Sequence, residues 1–94
     1  MPNNYDRGRR LEDLACRDLR KAGYIAQRTA GSHGPWDVTA VGTNGVRLIQ
    51  VKALGATRDK DRIALLDVVA PPCVSREIWE RGRARWLLEV LDAH

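Results

Sequence analysis

GPWDVTAVGTNGVRLIQVKA, residues 34 to 53, decides the fold. It holds two apolar, β-branched runs, Trp36 to Val41 and Val46 to Ala53, joined by Gly42-Thr43-Asn44-Gly45, a strong signal for a hairpin. Strand side chains alternate between faces. Val46, Leu48, Gln50 and Lys52 therefore share one face, while Arg47, Ile49, Val51 and Ala53 take the other. An amide and an ammonium on a strand otherwise rich in Val, Leu and Ile need a reason beyond packing, because burying unpaired polar groups is unfavourable. The preceding strand supplies one. Closing the hairpin on Val41 opposite Val46 sets Asp37 opposite Gln50; closing it on Thr43 opposite Val46 sets Asp37 opposite Lys52. Either register brings acid, amide and ammonium onto a shared face.

Upstream, Asp6 or Asn4 caps a helix whose Leu11, Leu14, Ala15, Leu19 and Ala22 recur at helical spacing, and Lys21 followed by Gly23 ends it. Tyr24 to Thr29 reads as a strand, and the polar loop TAGSHG leads on toward Trp36. Downstream, LGATRDKDR is polar. Ile63, Leu65, Leu66, Val69 and Ala70 then describe either a short helix begun at Asp59 or Asp61 or a further strand, stopped by Pro71-Pro72. Val74 to Arg81 and Arg85 to Leu91 alternate as two strands around Gly82-Arg83. The order helix, three strands, helix, two strands predicts an α/β fold, a mixed central sheet flanked by helices, in one domain spanning 1 to 94.

The composition narrows the function. The formal charge is +4, and Arg supplies 13 of the 16 basic residues. Guanidinium pairs bidentately with phosphate, so this bias favours a nucleic-acid partner over a small-molecule substrate. No uncharged run approaches the roughly 18 apolar residues of a membrane span, and MPNNYDRGRR lacks a signal-peptide core. The expectation is a cytoplasmic, nucleoid-associated protein, or one in the host cytoplasm if phage-encoded. Cys16 and Cys73 are isolated in sequence and are expected to be reduced and structural.

Glu12 joins the constellation. On a helical period it lies with Gly8, Ala15, Cys16 and Leu19, at the flank of the apolar face, where it can look toward the sheet. Two carboxylates and an amide oxygen suit a hard cation such as Mg2+, for which Mn2+ can substitute. Such an ion binds a phosphate oxygen and acidifies water, while Lys52 orients the water or steadies charge on phosphorus. An Asp followed by Gln-x-Lys is common by chance; strand parity, Glu12 and the Gly-rich loop before Asp37 are separate requirements met together.

GRRLEDLACRDLRKAGYIAQRTAGSHGPWDVTAV followed by LIQVKA, about residues 7 to 53, resembles the PD-(D/E)xK nuclease superfamily, and within it the archaeal-type Holliday junction resolvases. The resemblance implies a restriction-endonuclease-like core and a homodimeric endonuclease that cuts four-way junctions. It implies that Glu12, Asp37 and Gln50 hold the metal, that Lys52 is the catalytic lysine, and that Ser32 is the loop serine assisting cleavage. Arg9 and Arg10 match the family's DNA-engaging basic segment. Two departures stand out. The family usually has Glu where this chain has Gln50, a Gln-x-Lys form similar to that of Mrr-like restriction nucleases, and the likeness fades after Ala53. The rival readings are thus an Mrr-like or repair nuclease and an inactive structure-specific DNA-binding module.

Further residues have weaker signals. His33 is placed to contact a phosphate or the metal, and Arg28, Arg47, Arg58, Lys60 and Arg62 are candidates for a phosphate-binding rim. Trp36, Trp79 and Trp86 read as core or subunit interface, and Glu77 and Glu89 as solvated strand faces.

Overall fold

The computed structural model describes residues 4 to 29 and 34 to 91. Helix α1 (Asn4–Lys21) leads into β1 (Ile25–Arg28), β2 (Val38–Gly42) and β3 (Gly45–Ala53); α2 (Asp59–Leu66) then crosses to β4 (Val74–Arg81) and β5 (Trp86–Leu91). The five strands lie in sequence order in one sheet, with β3 and β4 parallel and the other pairs antiparallel. A parallel neighbour cannot be reached by a tight turn. That requirement explains why a helix separates β3 from β4, and it resolves the choice at Ile63 to Ala70 in favour of a helix.

Each element follows from its residues. Gly23 ends α1 at φ 98°, a left-handed conformation that disfavours side chains, and Tyr24 N–H then donates to Leu19 O at 3.0 Å. Arg20 ties the helix to the first strand by donating from Nε and Nη2 to Ala26 O. The hairpin closes with Val41 opposite Val46, the first of the two registers the sequence allows. Gly45 sits at φ 137°, where a Cβ would collide with Cys73 O, so only glycine lets the β3 start pass so close to β4.

Helix α1 covers one face of the sheet, burying Ala15, Cys16 and Leu19 against Ala26, Val38, Ala40, Ile49, Val51 and Trp79. Full burial of a Leu or Ile contributes about 1.5–3 kcal/mol, so Leu19 and Ile49 are principal anchors. Cys16, not Ala22, completes the helix's buried stripe. Helix α2 lies on the other face, where Leu65 packs with Ile78 and Leu91, flanked by Trp36 and Leu66.

Four details differ from the sequence reading. Helix α2 stops at Leu66, short of Val69 and Ala70, because Arg76 Nη1 donates to the carbonyls of Leu66 and Val68 and closes that end. Trp36 lies outside β2, its indole N–H donating to Thr39 Oγ1 at 3.0 Å. Cys73 is exposed, so the structural role belongs to Cys16 alone. Glu77 is not a solvated strand residue but 3% exposed. Its carboxylate accepts two hydrogen bonds from Arg47 and one each from Ser75 Oγ and Trp79 Nε1. Arg47 lies between the Tyr24 and Trp79 rings, at 5.2 and 5.1 Å from their centroids. Burial alone would raise the Glu77 pKa, but these donors hold it below the ordinary carboxylate range. Glu89 keeps the expected exposure and pairs with Arg62.

Candidate active site

Asp37 stands one residue before β2. Its N–H donates to Ile49 O at 2.8 Å, and its carboxylate Oδ2 accepts from Val51 N–H at 2.9 Å. The two bonds go to the residues on either side of Gln50 and pin the acid against the β3 backbone. Backbone anchoring of this kind leaves Asp37 Oδ1 for other partners while fixing the carboxylate plane. Gln50 Oε1 is buried with no hydrogen-bond partner. Such orphaned oxygens are rare in folded proteins and call for an explanation.

Glu12 approaches from α1. Arg28 bridges it to the first strand, with Nη1 at 3.8 Å from Glu12 Oε1 and Nε at 3.0 Å from Asp13 Oδ1. Burial is the largest influence on both acids and pushes the Glu12 and Asp37 pKa values up; Asp37 and Asp13 add repulsion to Glu12, which Arg28 opposes. The Val51 N–H and Lys52 pull Asp37 down, and Asp61 pushes it up again. Two desolvated, mutually repelling carboxylates form a site that a cation would stabilise, and the unpaired amide oxygen belongs to the strand that anchors Asp37.

Lys52 shares the Gln50 face and is 27% exposed at its side chain. Its Nζ lies 3.4 Å from Asp61 Oδ2, on the first turn of α2. The same carboxylate oxygen accepts Arg58 N–H at 2.8 Å. Burial raises the Asp61 pKa, but the Arg58 N–H, Lys52 and Lys60 outweigh it and bring the value down. Sequence reasoning missed Asp61 as a site residue. Its signal was local, an acid in the first turn of a helix, and nothing in the chain order showed that this turn would meet Lys52.

Glu12, Asp37, Gln50 and Lys52 thus gather at one end of the sheet, the end formed by the last residues of β1, β3 and β4. Ser32 and His33 lie outside the described residues. Arg9 and Arg10 are exposed on α1. Arg28 is engaged by Glu12 and Asp13, Arg47 by buried Glu77, and Arg62 by Glu89 and Asp59. Arg58 and Lys60 are exposed at the start of α2. The parallel register sets Ala53 beside Arg81 and so brings the β4–β5 turn to the same end, with Arg83 and Arg85 exposed and, among the described residues, without an ion pair. These two arginines were also missed, because a turn's position relative to the site depends on strand order.

The donor set decides whether a metal fits. Among the described residues no three Asp, Glu, His or Cys side chains form a metal-holding group. The available set is two carboxylates and an amide oxygen, which suits Mg2+, an ion that takes one or two carboxylates and keeps several waters. The orphaned Gln50 oxygen is the observation in favour of the fit. Cavities of about 320 and 390 Å3 lie around the β2–β3 turn and include none of Glu12, Asp37, Gln50 and Lys52. All four are half-buried at the sheet end.

No protein-family model and no curated protein sequence matches the chain. Among solved structures, the chain is similar to Archaeoglobus fulgidus Hjc, a Holliday junction resolvase from an archaeal hyperthermophile, with a TM-score of 0.72 and 23% identity, covering 87% of this chain and 70% of that one. The fold is therefore the α/β fold of that resolvase, a mixed five-stranded sheet with flanking helices. No helix among the described residues is long and apolar enough to cross a membrane.

Proposed function

We propose that this chain is a metal-dependent DNA endonuclease that resolves four-way junctions as a homodimer. The observation that carries the reading is the unpaired, buried oxygen of Gln50 on the strand whose backbone anchors Asp37, with Lys52 two residues on, in the fold of a Holliday junction resolvase. Glu12, Asp37 and Gln50 would hold Mg2+ or Mn2+, which when bound supplies Lewis acidity toward a phosphate oxygen and lowers the pKa of a bound water. The chain's own residues do the rest. Val51 N–H keeps the Asp37 carboxylate in one orientation, and Arg28 steadies Glu12. Lys52 offers a positive charge to the phosphoryl oxygens as charge builds there. In the hydrolysis the water oxygen bonds to phosphorus, one bridging P–O bond breaks, and the departing oxygen takes up a proton.

A half-buried site ringed by exposed basic residues suits a polymer better than a small metabolite. Arg9, Arg10, Arg58, Lys60, Arg83 and Arg85 offer exposed positive charge to DNA backbones, with Ser32 and His33 contributing from the intervening loop. Phosphate contacts of this kind read shape more than sequence and weaken steeply with salt. Paired nicks of a junction require two sites, and a two-fold homodimer supplies them. The substitution of an amide for an acid at position 50 favours one second reading, a structure-specific binding module that no longer cuts.

The test is cleavage of an end-labelled four-way junction beside a linear duplex of the same sequence, in Mg2+, in Mn2+ and with chelator, with Asp37→Asn as control. Symmetric nicks restricted to the junction, lost with chelator and in the variant, are expected. Tight junction binding without cutting in either metal would establish the binding module. Equal cutting of the linear duplex would establish a nuclease of other specificity.

A further inference from the structure

Lys52 is drawn to two carboxylates and pairs with one of them. Asp37 attracts it electrostatically, yet among the described residues the ion pair of Lys52 is with Asp61, at 3.4 Å. A lysine is a flexible point charge on a four-carbon stem, and beside a lone half-buried carboxylate it would collapse onto it. Collapse onto Asp37 would block the oxygen left free by Val51 and would remove the ammonium from the phosphate. We infer that Asp61 is a positioning residue that holds Lys52 away from Asp37, so that the acid stays open to a cation and the ammonium stays open to a phosphate.

The geometry gives Asp61 the rigidity this role requires. Its side chain is only 12% exposed, and the oxygen that meets Lys52 is the one that accepts Arg58 N–H at 2.8 Å at the start of α2. The helix is held down in turn by Leu65, fully buried against Ile78 and Leu91. A single atom therefore couples the crossover helix to the lysine. The inference rests on the nuclease reading for its catalytic consequence, and on the ion pair alone for its structural one.

Asp61→Asn separates these roles, since the amide keeps an oxygen for Arg58 N–H but loses the charge that holds Lys52. Single-turnover cleavage of a saturating four-way junction in Mn2+ should fall about 10- to 100-fold, in the range typical of removing a group that orients a functional side chain. Junction affinity should stay within about twofold, because Asp61 offers nothing to a phosphate. Asp61→Glu should recover most of the rate. In the Lys52→Ala background Asp61→Asn should have no additional effect, which a purely structural role for Asp61 would not produce.

A second readout needs no activity. Reductive methylation of Lys52 in the metal-free protein, followed by mass spectrometry, should be several-fold slower in Asp61→Asn than in the wild type at equal foldedness by circular dichroism, because the ammonium is then closed onto half-buried Asp37. Wild-type cleavage with Asp61→Asn cutting at the same rate, or unchanged Lys52 methylation, would overturn the role of Asp61 and leave the nuclease reading standing. A wild-type chain that cuts no DNA in either metal would overturn the nuclease reading and take the catalytic role of Asp61 with it.

Discussion

Gln50→Glu restores a carboxylate at the one position of the site where an amide stands, and its effects follow from the placement of Asp37. Asp37 N–H donates to Ile49 O and its Oδ2 accepts from Val51 N–H, so the acid lies against the β3 backbone on either side of residue 50, and a carboxylate placed there would stand on the order of 5 Å away. Two unit charges at that distance repel by about 3 kcal/mol at an effective dielectric of 20. In the metal-free variant this repulsion raises the carboxylate pKa values in the folded state. A folded-state pKa above the unfolded value contributes stability below the unfolded pKa that is lost as pH rises through the folded one. The metal-free variant should therefore melt lower than the wild type at pH 8, by on the order of 5–20 °C for 1–3 kcal/mol in a domain of this size, with the gap closing toward pH 4. A cation reverses the sign, since the added charge becomes attraction. Mn2+ should bind at least about tenfold tighter, which corresponds to about 1.4 kcal/mol. Calorimetric titration with Mn2+ and melting in chelator across pH measure both quantities. Unchanged Mn2+ affinity together with unchanged metal-free melting would refute the reasoning, because the oxygen at position 50 would then neither face Asp37 nor belong to a cation site.

Three other perturbations have defined outcomes. Asp37→Asn should abolish junction cleavage, leave junction affinity within about threefold, and melt higher than the wild type in chelator at neutral pH; that advantage should shrink as pH falls through the raised Asp37 pKa. A lower melting temperature at neutral pH would show that the carboxylate is not strained. Glu77→Gln leaves Arg47 buried without its counter-charge and should destabilise the fold by about 3–5 kcal/mol in urea denaturation. Because the Glu77 pKa is lowered, its contribution is present above the unfolded carboxylate pKa and is lost as pH falls through the folded one, so the deficit should narrow in acid; a deficit under about 1 kcal/mol at pH 7 would argue against a stabilising pair. Arg83→Ala with Arg85→Ala should weaken junction binding and reduce the slope of log affinity against log salt by roughly 2, without slowing cleavage at saturation. An unchanged slope would remove the β4–β5 turn from the DNA face.

Much of the site was legible because it lies on one hairpin. Side-chain parity is a property of any strand, so Gln50 and Lys52 share a face of β3, and the hairpin brings Asp37, one residue before β2, against the same stretch of that strand. The first helix was equally local, since its apolar spacing and its glycine end are both short-range features. Glu77 was misread for an equally physical reason. Alternation marks which way a side chain points, but whether that direction meets water depends on what covers the strand. Glu77 shares its face of β4 with Trp79, which packs beneath α1, so that side is interior.

The sequence by itself determined the order of elements, the hairpin, the shared face of amide and lysine on β3, and the basic character that points to phosphate. Tertiary structure alone decided which of two registers closes, that Gln50 Oε1 has no partner, that Asp61 holds Lys52, and that Arg83 and Arg85 come to the same end of the sheet. The division follows from range. Turn chemistry and side-chain periodicity act within a few residues, whereas the crossover through α2 brings distant segments together only when the whole sheet forms.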